Sequence, residues 1–223
     1  MGYNVAIDGP AGAGKSTIAK LVAKKKGFIY VDTGALYRAM ALYFLRLGLS
    51  ADDRESVAAK CKDAQVTLSY ENGIQQVCLN GENVTGLLRR EEVGNMASKT
   101  SAIPEVRERL LELQRTIARE QDVVMDGRDI GTNILPDADV KVYLTASAQT
   151  RAGRRFKELQ DKGLACDYEQ ILQDIQKRDS MDMNRETAPL RQAEDACLID
   201  SSDMTIEEVT EAIAALCSDK KTL

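Results

Sequence analysis

The 223-residue chain contains no histidine. Histidine is the commonest general base near neutral pH, so whatever chemistry the chain performs runs without it. Without histidine a zinc site would need several thiolates. The five cysteines, Cys61, Cys78, Cys166, Cys197 and Cys217, are odd in number and form no C-x-x-C pair. They read as reduced cysteines of a cytoplasmic protein. No long apolar run is present, so no membrane crossing is expected. The opening MGYNVAID lacks a charged segment ahead of a long apolar one, which argues against a secretory signal. Gly2 is discounted as a lipidation site because the residues after it run straight into a core strand. Positive charge is not in excess either. The net charge is −5 with 29% of residues charged, which gives no overall pull toward nucleic acid. An anion site must therefore be built locally from clustered arginines. Internal repeats and low-complexity linkers are also missing, and the length suits one core with small appended subdomains.

What is present concentrates first at GPAGAGKST, residues 9–17. Gly9, Gly14, Lys15 and Ser16 fit G-x-x-x-x-G-K-[ST], a spacing that turns backbone N–H groups inward around phosphate oxygens. The side chains of Pro10, Ala11, Gly12 and Ala13 are small, and Thr17 opens the helical stretch that follows. Lys15 would reach the outer phosphates of a nucleoside triphosphate and Ser16 would ligate Mg²⁺. The helix adds its positive N-terminal end.

Apolar runs alternate with helix-period stretches. NVAID (4–8) reads as a buried strand, and FIYVD (28–32), DVVMD (122–126), VKVYL (140–144) and CLID (197–200) read as four more strands. Helices are expected over 15–27, 34–48 and 104–120, the last with Pro104 in its first turn. Continuous apolar strands between helices indicate an α/β fold, a parallel sheet covered on both faces. Residues 64–86 break the alternation. There VTLSY and IQQVCLN are joined by Asn72-Gly73 and followed by Asn80-Gly81, the signature of a small inserted β subdomain. Residues 147–195 are strongly charged. Two helices with a break at Gly163 are expected, then a stretch from Ser180 with few apolar anchors. Charge density alone leaves two readings open: solvated helices with a surface loop, or a mobile lid that brings arginines to phosphates. The phosphate loop favours the lid.

At the strand ends, Asp32 and Thr33 stand at the start of a helix with Thr33 in the N-cap position, and Arg38 lies about one turn in. Arg38 could equally be a solvated helix residue. Asp126 ends a strand where a Mg²⁺-binding carboxylate would sit, acting directly or through water, with Arg128 and Asp129 just beyond at the ligand-binding edge of the sheet. No D-x-x-G follows that strand and no N-K-x-D appears, which excludes a GTPase switch. A motor ATPase would bring more chain and a signature motif.

IDGPAGAGKST, VDTGALYRA, NMASKTSAIPEVRE, MDGRDIGTNILPDADVKVYL, RAGRR and RDSMDMNRETAPL, running from residue 7 to about 200, together resemble the bacterial-type cytidylate kinases. The resemblance implies the P-loop nucleoside monophosphate kinase fold, with ATP and CMP or dCMP as substrates, Mg²⁺ as cofactor, and ADP and CDP or dCDP as products. It implies one kinase domain over 1–223. The core would be 1–32, 104–146 and 194–223, the monophosphate-binding region 33–103 and the lid 147–193. Asp129 and Ser98 would then take the cytosine amine and Arg107 its acceptor edge. Arg38, Arg128 and Arg185 would hold the acceptor phosphate, while Arg178 and Asp182 approach the sugar. Arg151, Arg154 and Arg155 are lid candidates for the transferring phosphoryl group. Such a reaction needs no base, since the nucleophile is a phosphate oxygen already deprotonated at neutral pH. Nothing marks an obligate interface, so a monomer is expected. Two rivals remain: a kinase of another small acceptor, such as UMP or shikimate, and a non-catalytic nucleotide-binding regulator.

Overall fold

A sheet whose central strands are buried on both faces sets the architecture, which is that of a computed structural model described over residues 2–217. The chain runs β1 (Asn4–Asp8), α1 (Lys15–Lys26), β2 (Ile29–Asp32), α2 (Thr33–Arg46), α3 (Arg54–Cys61), β3 (Val66–Glu71), β4 (Ile74–Leu79), β5 (Glu82–Asn83), α4 (Glu91–Thr100), α5 (Pro104–Glu120), β6 (Val123–Gly127), β7 (Val140–Thr145), α6 (Ala148–Asp161), α7 (Tyr168–Asn184), β8 (Cys197–Asp200) and α8 (Ile206–Leu216). Residue 1 and residues 218–223, the two ends of the expected core, lie outside the described residues. The five expected strands form one parallel sheet in the order β2-β6-β1-β7-β8. All five residues of β6 are buried, as the continuous apolar run requires of a central strand.

Two apolar layers cover the sheet. On one face Ile18 and Val22 of α1 and Ile213 of α8 pack with Val5, Ile7 and Val142. On the other, Ala6, Val31 and Met125 meet Ala118 of α5 and the segment Ile130–Ile134, a π-helical turn. A third cluster lies away from the sheet. Leu36, Met40 and Phe44 of α2 pack with Val93 of α4 and Leu110 of α5, under Val77 and Leu79 of β4. Each such side chain, fully buried, contributes about 1.5–3 kcal/mol.

The interrupting stretch is an antiparallel sheet, β3-β4-β5. Both Asn-Gly pairs have positive φ at both residues (52° and 75°, 50° and 85°), the geometry that closes tight hairpins. Gln75 of β4 docks this sheet onto the core. Its Oε1 accepts the Asp32 N–H at 2.8 Å and its Nε2 donates to the Asp32 carbonyl at 3.3 Å, while the Tyr70 hydroxyl donates to the Tyr30 carbonyl at 3.2 Å.

Three local expectations need correction. The helix α3 was not expected, because Val57 and Cys61 alone bury on the third cluster and leave too short a period to recognise. The stretch from Ser180 is not a loop at its start, since α7 runs on to Asn184. Ion pairs rather than apolar anchors hold that end. Thr33 is not the N-cap of α2. Asp32 is, its carboxylate accepting the Ala35 N–H at 3.0 Å.

Replacing Gln75 by Ala removes both hydrogen bonds to Asp32, a loss of about 1–2 kcal/mol from the docked sheet. Hydrogen exchange will show faster amides in β3 and β4 with β1 and β6 unaffected. Unchanged exchange in β3 and β4 would mean that the hairpin docks without Gln75.

Candidate functional site

The carboxyl ends of β1 and β6 open into one cavity of about 870 Å³. Its first wall is the loop from Ala11 to Gly14 with Lys15, Ser16 and Thr17 of α1. Gly9 and Pro10, expected among the nucleotide-binding residues, do not line it. Gly9 has φ 151° and lies so close to β7 that an added Cβ would stand 1.9 Å from the Leu144 carbonyl oxygen. The Pro10 carbonyl faces inward and accepts Lys15 Nζ at 2.8 Å. Burial, and then the Arg128 guanidinium, lower the buried Lys15 ammonium to about 7. A group in that state gains most from an arriving phosphate, which replaces lost solvation with charge.

Beside Lys15, Ser16 Oγ donates to Asp126 Oδ2 at 2.9 Å, and the Tyr30 hydroxyl donates to Asp126 Oδ1 at 2.8 Å. Burial, then the nearby Asp32 carboxylate, raise Asp126 above the usual carboxylate range. No group of three or more His, Cys, Asp or Glu side chains among the described residues could hold a metal. A hydroxyl and a carboxylate at hydrogen-bond distance beside a phosphate loop do fit Mg²⁺, which keeps several waters and takes its other ligands from phosphates.

The acceptor side is dense with charge. Asp32, Thr33 and Arg38 line the cavity, as do Ser98 and Arg107. The Thr33 hydroxyl donates to the Asp126 carbonyl at 2.8 Å, tying α2 to β6. Arg128 Nε donates to Asp182 Oδ2 at 2.7 Å. Asp129 is buried between two cations. Its Oδ2 accepts from Arg107 and from Asn133 Nδ2 at 3.1 Å, and its Oδ1 accepts Arg185 Nη2 at 3.3 Å. A carboxylate has about four lone-pair sites, so roughly one remains free on Oδ1. Burial lowers the guanidinium pKa values of Arg38, Arg178 and Arg185. A neighbouring guanidinium acts the same way in each case: Arg89 on Arg38, Arg128 on Arg178 and Arg107 on Arg185. Among the described residues Arg178 Nε has no hydrogen-bond partner although it is buried. The arrangement stores electrostatic strain that an anion relieves.

The three arginines expected to serve the transferring group differ in placement. Arg151 is buried and committed. It forms a bidentate pair with Asp179 at 3.1 and 2.6 Å, and also donates to the Ala146 and Ala11 carbonyls, each at 2.9 Å. It is a clamp between α6, α7 and the phosphate loop. Arg154 donates to the Ser201 carbonyl at 2.6 Å. Arg155 is half exposed, with Glu158 its partner at 2.8 Å. All three line the cavity.

Sequence reasoning missed several lining residues. Tyr37 stacks under Arg107 with its ring centre 5.4 Å from the guanidinium carbon, and Arg89 lies 3.8 Å from Asp32. Tyr37 stands inside VDTGALYRA, which was a usable signal, whereas Arg89 carries none. The far end, Met204, Thr205, Ile206 and Val209, follows the last strand at the ligand edge of the sheet, and that position was a usable signal.

A loop of phosphate-binding spacing that shares one cavity with a cluster of guanidinium groups is an arrangement suited to phosphoryl transfer between two small molecules, the class of the P-loop kinases. Comparison narrows the class. A family described as cytidylate kinase matches residues 5–219. A cytidylate kinase of Caldicellulosiruptor bescii is 51% identical over 96% of this chain and 94% of its own. One of Carboxydothermus hydrogenoformans is 46% identical over 97% of each. The chain belongs to the cytidylate kinase family. A solved structure of an uncharacterized protein from Eubacterium ventriosum is similar in fold alone, with TM-score 0.51 at 13% identity over 96% of each chain.

Replacing Arg151 by Ala leaves the Asp179 carboxylate in a site 13% exposed without its partner. The expected loss is about 3 kcal/mol of unfolding free energy, read from urea titration. Arg151→Met with Asp179→Leu recovers most of it, because the uncompensated charge is gone. A double variant no more stable than Arg151→Ala would assign the loss to the carbonyl contacts instead.

Proposed function

We propose that this chain transfers the γ-phosphoryl group of ATP to CMP or dCMP, giving ADP and CDP or dCDP. One observation carries the reading. The phosphate loop and a buried Arg107–Asp129 pair with arginines around it face each other across a single cavity. Cytosine presents an amine donor at C4 beside acceptors at N3 and O2. Asp129, with its remaining lone pair, and Ser98 accept from the amine, and Arg107 donates to the acceptor edge. Uracil presents a carbonyl at C4, which meets the carboxylate and leaves buried polar groups unpaired, so it is disfavoured by orders of magnitude.

Arg38, Arg128 and Arg185 hold the acceptor phosphate, and the unpartnered Arg178 Nε, with Asp182, faces the sugar side. Ser16 and Asp126 would hold Mg²⁺, which would supply charge neutralisation at the donor phosphates. Lys15 binds the outer phosphates and remains charged there. No residue has to remove a proton, so rate comes from alignment and fixed positive charge. The segment 147–193 is the lid. Its root is fixed on the Ala11 carbonyl by Arg151, and its exposed Arg155, with Arg154, closes on the transferring group. Both substrates are small soluble nucleotides, and the reading carries a cytoplasmic monomer with neither nucleic acid nor membrane as partner. No helix among the described residues is long and apolar enough to cross a membrane.

ADP release from ATP and Mg²⁺ with CMP, dCMP, UMP, AMP and GMP in turn tests the substrate. CMP and dCMP turning over far above UMP is the expected result. Equal CMP and UMP rates would keep a kinase and overturn the base reading, and no acceptor-dependent ADP would leave a nucleotide-binding regulator. Lys15→Ala and Arg128→Ala each lower kcat by roughly 10²–10³-fold without unfolding, by analogy with other fixed charge-stabilising groups. Normal turnover in both would sink their assignment. A bisubstrate analogue slows hydrogen exchange across 147–193, and unchanged exchange there would remove the lid.

A further inference from the structure

Asp8, the last residue of β1, is buried and lines no part of the cavity. Both of its oxygens are committed to backbone. Oδ1 accepts the Ile130 N–H and Oδ2 the Gly131 N–H, each at 2.8 Å, across 122 and 123 residues of sequence. Those two N–H groups open the π-helical turn Ile130–Ile134, whose start has no side-chain cap of its own. Such a turn is rare and is held by tertiary contacts rather than by propensity. Asp8 supplies the missing cap. The fit is close: a Cβ on Gly131 would lie 3.2 Å from the Lys141 side chain and 3.5 Å from Asp8 Oδ2.

The turn begins immediately after Asp129. It also carries Asn133, whose amide fixes Asp129 Oδ2. In the other direction Asp8 is bonded to Gly9, where the backbone is pressed against β7 and cannot give. One carboxylate therefore sets the distance between the loop that takes the donor phosphates and the residues that take the acceptor. We propose that Asp8 is a positioning residue for the acceptor site: by capping the turn it holds Asp129 and Arg128 in register with the phosphate loop, and the discrimination between cytosine and uracil depends on it. The proposal rests on the reading of Asp129 as the group that accepts from the cytosine amine.

The test is Asp8→Asn, which keeps the shape of the side chain but turns one acceptor into a donor facing a backbone N–H. Asp8→Ala and Gly131→Ala disturb the same joint from its two sides. The readout is the ratio of kcat/KM for CMP to that for UMP. The ratio is independent of the fraction of protein that is folded, so a loss of stability alone does not move it. Asp8→Asn is expected to lower the ratio by about tenfold or more, while ADP affinity, measured by calorimetry, stays within about threefold because the phosphate-loop backbone is intact. Gly131→Ala is expected to move the ratio in the same direction. A ratio within about twofold of the parent in Asp8→Asn would overturn the proposal and leave Asp8 a stability residue only. A parent enzyme with no CMP preference at all would instead overturn the base reading, and the proposal with it.

Discussion

Guanidinium groups repel one another, and this cavity gathers many of them out of water. The structure depends on how that repulsion is contained. Four of the cavity's arginines are held by an aspartate from another element: Arg107 and Arg185 by Asp129, Arg128 by Asp182, Arg151 by Asp179. Asp129 follows β6, Arg107 lies on α5, and Asp182 and Asp179 lie on α7. The pairs are therefore also the ties between the core, the helices on the acceptor side and the α6–α7 hairpin. Breaking one buried pair costs on the order of 3–5 kcal/mol, against a total stability of about 5–15 kcal/mol. Site geometry and fold stability are thus not separable here.

The balance of these pairs explains how an acidic protein binds highly charged anions. The net charge of −5 acts on a ligand only at a distance, where salt screens it over about 10 Å. Inside the cavity the carboxylates neutralise the guanidinium groups only in part. Arg38 and Arg178 have no ion pair of 4 Å or less among the described residues, and Arg178 Nε is left without a partner. The deficit is local, buried and shaped for phosphate, so affinity is specific to a ligand that enters. A basic surface would give affinity for any polyanion.

The parts of this arrangement governed by neighbouring residues were legible in the sequence. The phosphate loop, the five strands of the parallel sheet and the two Asn-Gly hairpins each depend on a few adjacent side chains and φ values, and each was placed from the sequence. The parts governed by distant partners were not. The end of α7 has few apolar residues, and its helical state rests on Asp179 and Asp182 meeting arginines 28 and 54 residues away. The π-turn is capped by a residue 122 positions back. Asp32 took the N-cap from Thr33 because the Thr33 hydroxyl was drawn to the Asp126 carbonyl, 93 residues on. The arginines at 151, 154 and 155 show the same limit. The family resemblance marked all three as candidates for the transferring phosphate, but only their partners reveal that Arg151 is a fixed clamp and Arg155 an exposed side chain.

The missing histidine and the buried ion pairs follow from one cause. A phosphate oxygen is a nucleophile without any proton transfer, so the enzyme has no barrier for a base to lower. What remains is the cost of bringing two polyanions into contact and of keeping water from taking the phosphoryl group. Fixed cations meet the first need only if they do not relax when the ligands arrive, since a flexible guanidinium would reorganise during the reaction and give back part of its effect. Rigid aspartate partners prevent that. Each carboxylate weakens the field at the cavity somewhat, and in exchange holds its arginine at a set position. Catalysis of this kind therefore favours a site whose charges are numerous, buried and mutually constrained, and it gives a histidine no proton to move.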